Sequence, residues 1–272
     1  VNLRILFLGD IVGQPGVAIV RKAAPLLRLR EKLDFIIANA ENAAGGSGLS
    51  PSLYRQIRAA GVDAITLGDH IYKKFEIAEV LESPGEPIVK PANYPPSAPG
   101  RDHVVITTAA GVRLAVISLM GRTFLRPVDC PFAAVDRVLA DLTGKVDVIL
   151  VDIHAEATAD KYLMAHHLDG RVSAVLGTHT HVPTADEQIL PKGTAFQCDV
   201  GMTGPYAGVL GRQIDRVLTT VVSFVPTSFD VARDDVRLAG AIVEVDPSTG
   251  RASAIQRVMW REAEFAHPPK SS

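Results

Sequence analysis

The stretch Gly177-Thr178-His179-Thr180-His181 follows an apolar run, Val172–Leu176, that reads as a buried strand. In extended backbone, residues two apart point the same way, so both imidazoles can reach one point. Working outward, the arrangement recurs. Ile5–Leu8 runs into Gly9-Asp10, Phe35–Ala38 into Asn39-Ala40-Glu41-Asn42, Ala64–Leu67 into Gly68-Asp69-His70, and Val148–Val151 into Asp152-Ile153-His154. Oxygen and nitrogen donors at the ends of buried strands point to a metal centre, one with two metals.

The segments between these runs set the fold class. Pro15 fits the first turn of a helix carrying Val17, Val20, Leu26, Leu27 and Leu29. Ser50-Pro51 caps a helix over Leu53–Ala60 that Gly61 stops, and another helix is expected near Phe75–Leu81. Strands alternating with helices predict βαβ units, hence an α/β fold with a largely parallel, helix-covered sheet. The Pro-rich segment Glu82–Arg101 reads as loop, either a boundary or a crossing over a pocket mouth. His103–Thr108 and Val112–Leu119 flank Ala109-Ala110-Gly111 as a hairpin. Phe132–Leu142 and Thr158–Leu168 read as helices around a strand at Val146–Asp152. Past His181, Glu187–Leu190, Ala195–Asp199, Val236–Val245 and Ala254–Trp260 predict a second, mixed sheet, while Ile214–Val225 fits helix or strand. The expected organisation is one domain over residues 1–261 and a peripheral C-terminal tail over 262–272.

Bulk composition narrows the class. A 47% apolar and 21% charged chain of 272 residues is ordinary for a globular protein with a large core. A net charge of −2 gives no reason to expect a stable nucleic-acid complex or membrane binding. Val1–Leu8 is too short and too soon acidic for a signal peptide, and no run nears the roughly 18 apolar residues of a membrane span. Cys130 and Cys198 fit a reducing compartment, so a cytoplasmic location is expected. They form no zinc knuckle, and Gly9-Asp10-Ile11-Val12-Gly13 lacks the dinucleotide fingerprint Gly-x-Gly-x-x-Gly.

Each candidate residue has a chemical reason and a local alternative. Asp10 is a metal carboxylate or a turn cap. Glu41 can bridge two cations through its two oxygens, and the Asn42 carbonyl can supply a neutral ligand; both also fit the turn Ala43-Ala44-Gly45-Gly46-Ser47-Gly48. Asp69 can bind the second metal with His70 beyond it facing substrate, or His70 satisfies backbone groups. His154 leaves a buried strand and needs a polar partner or a metal. His179 and His181 are the strongest local pair, with loop-pinning histidines as the alternative. Oxygen-plus-imidazole ligation suits manganese, iron or zinc better than calcium.

In order, Gly9-Asp10-Ile11-Val12-Gly13, Asn39-Ala40-Glu41-Asn42, Gly68-Asp69-His70, Asp152-Ile153-His154-Ala155-Glu156 and Gly177-Thr178-His179-Thr180-His181, with Gly201-Met202-Thr203-Gly204, resemble the motifs of bacterial YmdB-type metallophosphoesterases, within the calcineurin-like superfamily. The resemblance covers nearly the whole chain. It implies a four-layer α/β/β/α sandwich with two central mixed sheets, a dinuclear centre, homo-oligomerisation and phosphodiester hydrolysis, notably of cyclic nucleotides. It also implies that Asp10, Glu41, Asn42 and His181 surround one metal, with Glu41 bridging, and that Asp69, His154 and His179 complete the other. His70 then contacts phosphate and protonates the leaving oxygen. The metals would be two divalent or mixed-valence ions, iron or manganese, with zinc as a further option. Asp69 departs from the family's usual Gly-Asn-His; the extra charge binds a cation more strongly but repels phosphate, or Asp69 orients His70 instead. Val12 stands where the wider superfamily carries an early histidine.

The chemistry expected is metal-dependent hydrolysis of 2′,3′- or 3′,5′-cyclic nucleotides by two metals about 3.5–4 Å apart, with protonated His70 as general acid. Alternatives are a phosphomonoesterase acting on nucleotides or small phosphates, and a non-catalytic metal-stabilised regulatory or nucleotide-binding protein. Tyr72, Arg122, Arg126, Thr203, Tyr206, Arg212 and the turn Gly45–Gly48 are candidate substrate contacts, each with an ordinary packing or surface role as its alternative.

Overall fold

Leu3, Ile5 and Phe7 leave one face of β1 (Leu3–Leu8), and Leu6 and Leu8 leave the other; the two sets enter different hydrophobic cores. This period-two sorting organises the molecule. The computed structural model describes residues 2–265. After β1 come β2 (Asp10–Ile11), α1 (Gly13–Arg30), β3 (Phe35–Asn39), α2 (Pro51–Ala59), β4 (Ala64–Thr66), a 3₁₀ turn (Phe75–Ile77) and α3 (Ala78–Glu82). The middle adds β5 (His103–Thr107), β6 (Arg113–Met120), α4 (Pro131–Leu142), β7 (Val148–His154), α5 (Thr158–Leu168) and β8 (Ala174–Thr178). Then follow β9 (Gln188–Ile189), β10 (Ala195–Gln197), β11 (Met202–Pro205), α6 (Ile214–Ser223), β12 (Val236–Asp246) and β13 (Arg251–Arg261).

One sheet has the order β2-β11-β12-β1-β3-β4, with β13 also on β12; the other runs β5-β6-β7-β8-β10-β9. Both are mixed: β1-β3-β4 and β6-β7-β8-β10 are parallel, whereas β12 and the outer strands β5 and β9 pair antiparallel. Leu3, Ile5 and Phe7 meet Leu114, Val116, Val148 and Leu150 between the sheets. Outside, α1 and α2 cover the first sheet through Val20, Leu27 and Ile57, and α4 and α5 cover the second through Val138 and Met164. These are the four layers expected.

The allocation of the C-terminal strands differs from expectation. They do not form a separate sheet: β9 and β10 extend the second, and the β12–β13 hairpin joins the first beside β1. The cause is burial. Residues Leu238–Val243 are all buried, so β12 needs cover on both faces and partners on both edges, and β1 offers a free apolar edge. The ambiguous segment is the helix α6, none of whose residues is buried. The expected tail begins with a docked turn instead, since Glu262–Phe265 form a 3₁₀ helix that buries Phe265 against the α1 side. Residues 266–272 of that tail lie outside the described residues.

Candidate metal centre

Ligands in parallel-sheet proteins collect beyond the carboxyl ends of strands, and here both sheets deliver to one rim. From the first come Asp10 on β2, Glu41 and Asn42 after β3, and Asp69 and His70 after β4; from the second come His154 at the end of β7 and His179 and His181 after β8. The loop after β4 passes so close to β7 that a Cβ on Gly68 would run into the His154 ring.

One atom each from Glu41, Asp69, His154 and His179 lie within 4.8 Å of one another. His154 Nε2 is 3.0 Å from Glu41 Oε1 and 3.2 Å from Asp69 Oδ1, and His179 Nδ1 is 3.1 Å from His154 Nε2. Beside this group stand Asp10, Asn42 and His181. Asn42 Nδ2 donates to Asp10 Oδ1 at 3.4 Å and lies 3.3 Å from His181 Nε2, which is 3.8 Å from Asp10 Oδ1. The His179 amide donates to Asp10 Oδ2 at 3.1 Å, linking the two groups. His70 sits at the open edge; its amide donates to Glu41 Oε2 at 2.9 Å and its Nδ1 lies 2.7 Å from Asn42 Oδ1. All eight residues expected at the site therefore come together.

Two geometric expectations change. The strand ends at Thr178, and His179 and His181 have φ of 95° and 64°, so they converge through left-handed backbone rather than through alternation in extended chain. Each reaches a different partner, His179 the His154 side and His181 the Asp10 side. Asn42 points its amide nitrogen at Asp10 and His181 because its carbonyl is taken by His70; a half-turn of that amide would offer the oxygen instead.

A supporting layer escaped the sequence reading. His154 Nδ1 lies 2.8 Å from Thr178 Oγ1, which donates to Asp152 Oδ1 at 2.6 Å. Thr66 Oγ1 and Asn39 Nδ2 donate to Asp152 Oδ2 at 2.5 and 3.1 Å. His179 Nε2 lies 3.0 Å from Glu156 Oε2, and His181 Nδ1 lies 3.1 Å from the Leu210 carbonyl. The loop bearing both histidines is tied to Asp199, which accepts from Thr180 N and Oγ1, Gly201 N and Lys161 Nζ. One signal was readable: Asp152 shares a strand face with His154, two residues on, inside an apolar run. Lys161 and Asp199 carried no such mark.

Electrostatics describe a nest short of positive charge. Burial disfavours an imidazolium at His154, yet Glu41, Asp69 and Asp10 override it and raise its pKa well above the ordinary value. Burial likewise opposes the Asp69 and Asp10 carboxylates, but the surrounding histidines hold both below the usual range. Asp152, with burial dominant, is pushed up to about 6.

The residues fit a metal. Assigned from their outer partners, His154, His179 and His181 each use one ring nitrogen to donate outward, which turns the lone pair of the other inward. His154 Nε2 and His179 Nδ1 then face each other at 3.1 Å and repel unless a cation or a proton lies between them. Glu41 Oε1 is buried with His154 Nε2 3.0 Å away, and when that nitrogen carries no proton the oxygen has no hydrogen-bond partner among the described residues. Uncompensated oxygen and converging imidazole lone pairs are what a divalent cation satisfies.

The other candidate contacts divide. Tyr72 and Arg126 line the cleft beside His70. Arg212 instead braces the glycine turn through the Gly45 and Gly46 carbonyls, Tyr206 bonds the Met202 carbonyl, and Thr203 is buried against the Ala239 carbonyl. Arg122 contributes its amide to Asp160.

Known proteins resemble this chain along most of its length. The model of the YmdB-like protein family matches residues 6–258. The 2′,3′-cyclic-nucleotide 2′-phosphodiesterase of Bacillus subtilis (strain 168) is 44% identical over 257 residues, spanning 94% of this chain and 97% of that protein. A crystal structure from Thermus thermophilus, described as a hypothetical protein, has a TM-score of 0.89 at 44% identity, with 95% of this chain and 99% of that one covered. Another, described as a novel phosphatase from Mycoplasma pneumoniae, has a TM-score of 0.89 at 30% identity, with 96% and 94% covered. The motifs that meet at the rim lie within the matched residues, and the chain belongs to the YmdB-like protein family.

Proposed function

We propose that this protein is a metal-dependent phosphodiesterase that hydrolyses 2′,3′-cyclic nucleotides, the substrate class in the name of its Bacillus subtilis relative. The observation that carries the reading is the approach of Glu41, Asp69, His154 and His179 to within 4.8 Å, with His70 at the open edge of the same cluster. Glu41, Asp69, His154 and His179 would hold one cation, and Asp10 and His181, with Asn42 beside them, the second. Divalent cations bound there supply Lewis acidity toward a phosphoryl oxygen and toward water.

The chain's own groups do the rest. His70 Nδ1 pairs with the Asn42 carbonyl at 2.7 Å, which fixes the proton there and leaves Nε2 facing the cleft, 3.6 Å from Asp69 Oδ2. Only the imidazolium then carries a proton on Nε2, so His70 donates to the departing oxygen in its charged form. Lys73 and Arg126 line the same cleft and offset the negative charge of the phosphodiester. Iron or manganese is the metal we assign, with zinc as the further option. One catalytic domain over residues 1–261 accounts for a site drawn from both sheets. The two unpaired cysteines support a cytoplasmic location. No helix among the described residues is long and apolar enough to cross a membrane. The family-based expectation of a homo-oligomer is tested by light scattering.

The deciding experiment is anaerobic purification with metal quantification, followed by assays on 2′,3′- and 3′,5′-cyclic nucleotides and on nucleoside monophosphates with iron, manganese and zinc. Turnover of 2′,3′-cyclic diesters above the other classes is expected. Turnover of monoesters alone selects the phosphatase reading that the Mycoplasma pneumoniae structure's description favours; binding without any turnover selects the non-catalytic one.

A further inference from the structure

Beside the cleft at His70 lies a hollow of different chemistry. The cleft, about 290 Å³, is lined by Asp69, His70, Tyr72, Lys73 and Arg126, and is charged. The hollow, about 420 Å³, shares Tyr72 and Arg126 with it and is otherwise walled by Tyr94, Pro95, Pro127, Val128 and Ala98. Both tyrosine hydroxyls are turned away into the protein. Tyr72 donates to the Pro99 carbonyl at 2.6 Å and Tyr94 to the Gly68 carbonyl at 3.4 Å, so the hollow receives their rings, 6.2 Å apart. The Arg126 guanidinium stands 6.0 Å from the Tyr94 ring centroid and adds a flat cationic surface suited to stacking. Prolines at 95 and 127 stiffen two walls, so the hollow is preformed.

We propose that this hollow is the nucleobase subsite, and that it selects for an aromatic ring without reading which base the ring belongs to. The inference rests on the phosphodiesterase reading above. A nucleotide is a charged phosphate joined through a sugar to a flat, largely apolar ring, and the two cavities repeat that order across a common wall. Recognising one particular base needs unpaired donors or acceptors facing its edge. Among the described lining side chains, Arg126 alone leaves a polar group free, since the tyrosine hydroxyls are engaged and the remainder are apolar. Stacking is tolerant, because every base has a π-face.

The test compares wild type, Val128→Trp, which fills the hollow, and Tyr72→Ala, which removes its shared wall. Manganese-loaded protein is assayed on the 2′,3′-cyclic phosphates of adenosine, guanosine, cytidine and uridine, and on ribose 2′,3′-cyclic phosphate, which has no base. Adenosine binding to metal-free protein is followed by saturation-transfer NMR. Wild type should favour the four nucleosides over the base-less diester by about tenfold or more in kcat/KM, mainly through KM, with the four bases within about fivefold of one another. Both variants should shrink that preference to about twofold and lose the adenosine signal. A preference unchanged in both variants, or selection of one base by about 100-fold, overturns the subsite. If wild type cleaves no diester with any metal, the phosphodiesterase reading fails instead, and the adenosine signal in wild type against the variants still decides the hollow.

Discussion

Replacing Lys161 with methionine isolates what holds the two-histidine loop. Lys161 Nζ donates to Asp199 Oδ2 at 2.8 Å, and both side chains are 1% exposed. Methionine keeps most of the volume and removes the charge, leaving a buried carboxylate without its cation. Such a loss costs about 3–5 kcal/mol. Asp199 still accepts from Thr180 N at 3.1 Å, Thr180 Oγ1 at 2.6 Å and Gly201 N at 2.8 Å, so the lower end applies, about 3 kcal/mol. For a large domain each kcal/mol moves Tm by roughly 2–4 °C, which predicts a fall of about 6–12 °C. The function should suffer as well. Thr180 lies between two residues held at positive φ, a conformation that costs on the order of 1–3 kcal/mol each and persists only while its surroundings enforce it. With Asp199 destabilised, the loop relaxes and manganese affinity drops by about tenfold, read by titration calorimetry. Adding Asp199→Asn removes the stranded charge while keeping an acceptor for Thr180, and should restore at least half of the lost Tm. A Lys161→Met protein that melts within about 2 °C of wild type, or an Asp199→Asn addition that lowers Tm further, would refute the reasoning.

Other expectations follow from the same contacts. His70→Ala should lower turnover of cyclic diesters by about 10²–10⁴-fold with most metal retained; metal analysis that finds the cations gone rejects its role as acid. Asp69→Asn takes one negative charge from the nest, so manganese should bind about tenfold more weakly, with kcat per bound metal undiminished, measured by calorimetry and assay on one preparation. Chelation should abolish diester hydrolysis and lower stability by about 2.7 kcal/mol relative to protein with free metal at 100 times its Kd, seen as a Tm shift that manganese reverses.

The strands were legible because buried parallel strands are short runs of Val, Ile and Leu, and the ligands were legible because each follows such a run. Pairing was not. Period two tells which residues share a face but not which strand lies alongside, so β12 read as part of a separate sheet although it sits beside β1. The left-handed backbone of His179 and His181 was equally hidden, since histidine adopts a positive φ at only a minority of positions. The roles of Glu156, though it sits in a quoted motif, and of Asp199 became visible only in three dimensions, because what matters about them is a partner: His179 for one, Lys161 and Thr180 for the other. Tyr72 illustrates the opposite limit. Its aromatic character fitted either packing or a base, and the direction of its hydroxyl toward the Pro99 carbonyl separates ring from polar tip.

The site divides its donors by origin. Every acidic or amide ligand candidate, Asp10, Glu41, Asn42 and Asp69, comes from the β1-containing sheet, and every imidazole ligand candidate, His154, His179 and His181, from the other. The mixed oxygen-and-imidazole set therefore exists only where the two sheets meet. A cation held there would fasten one sheet to the other, like a rivet along one seam of the sandwich.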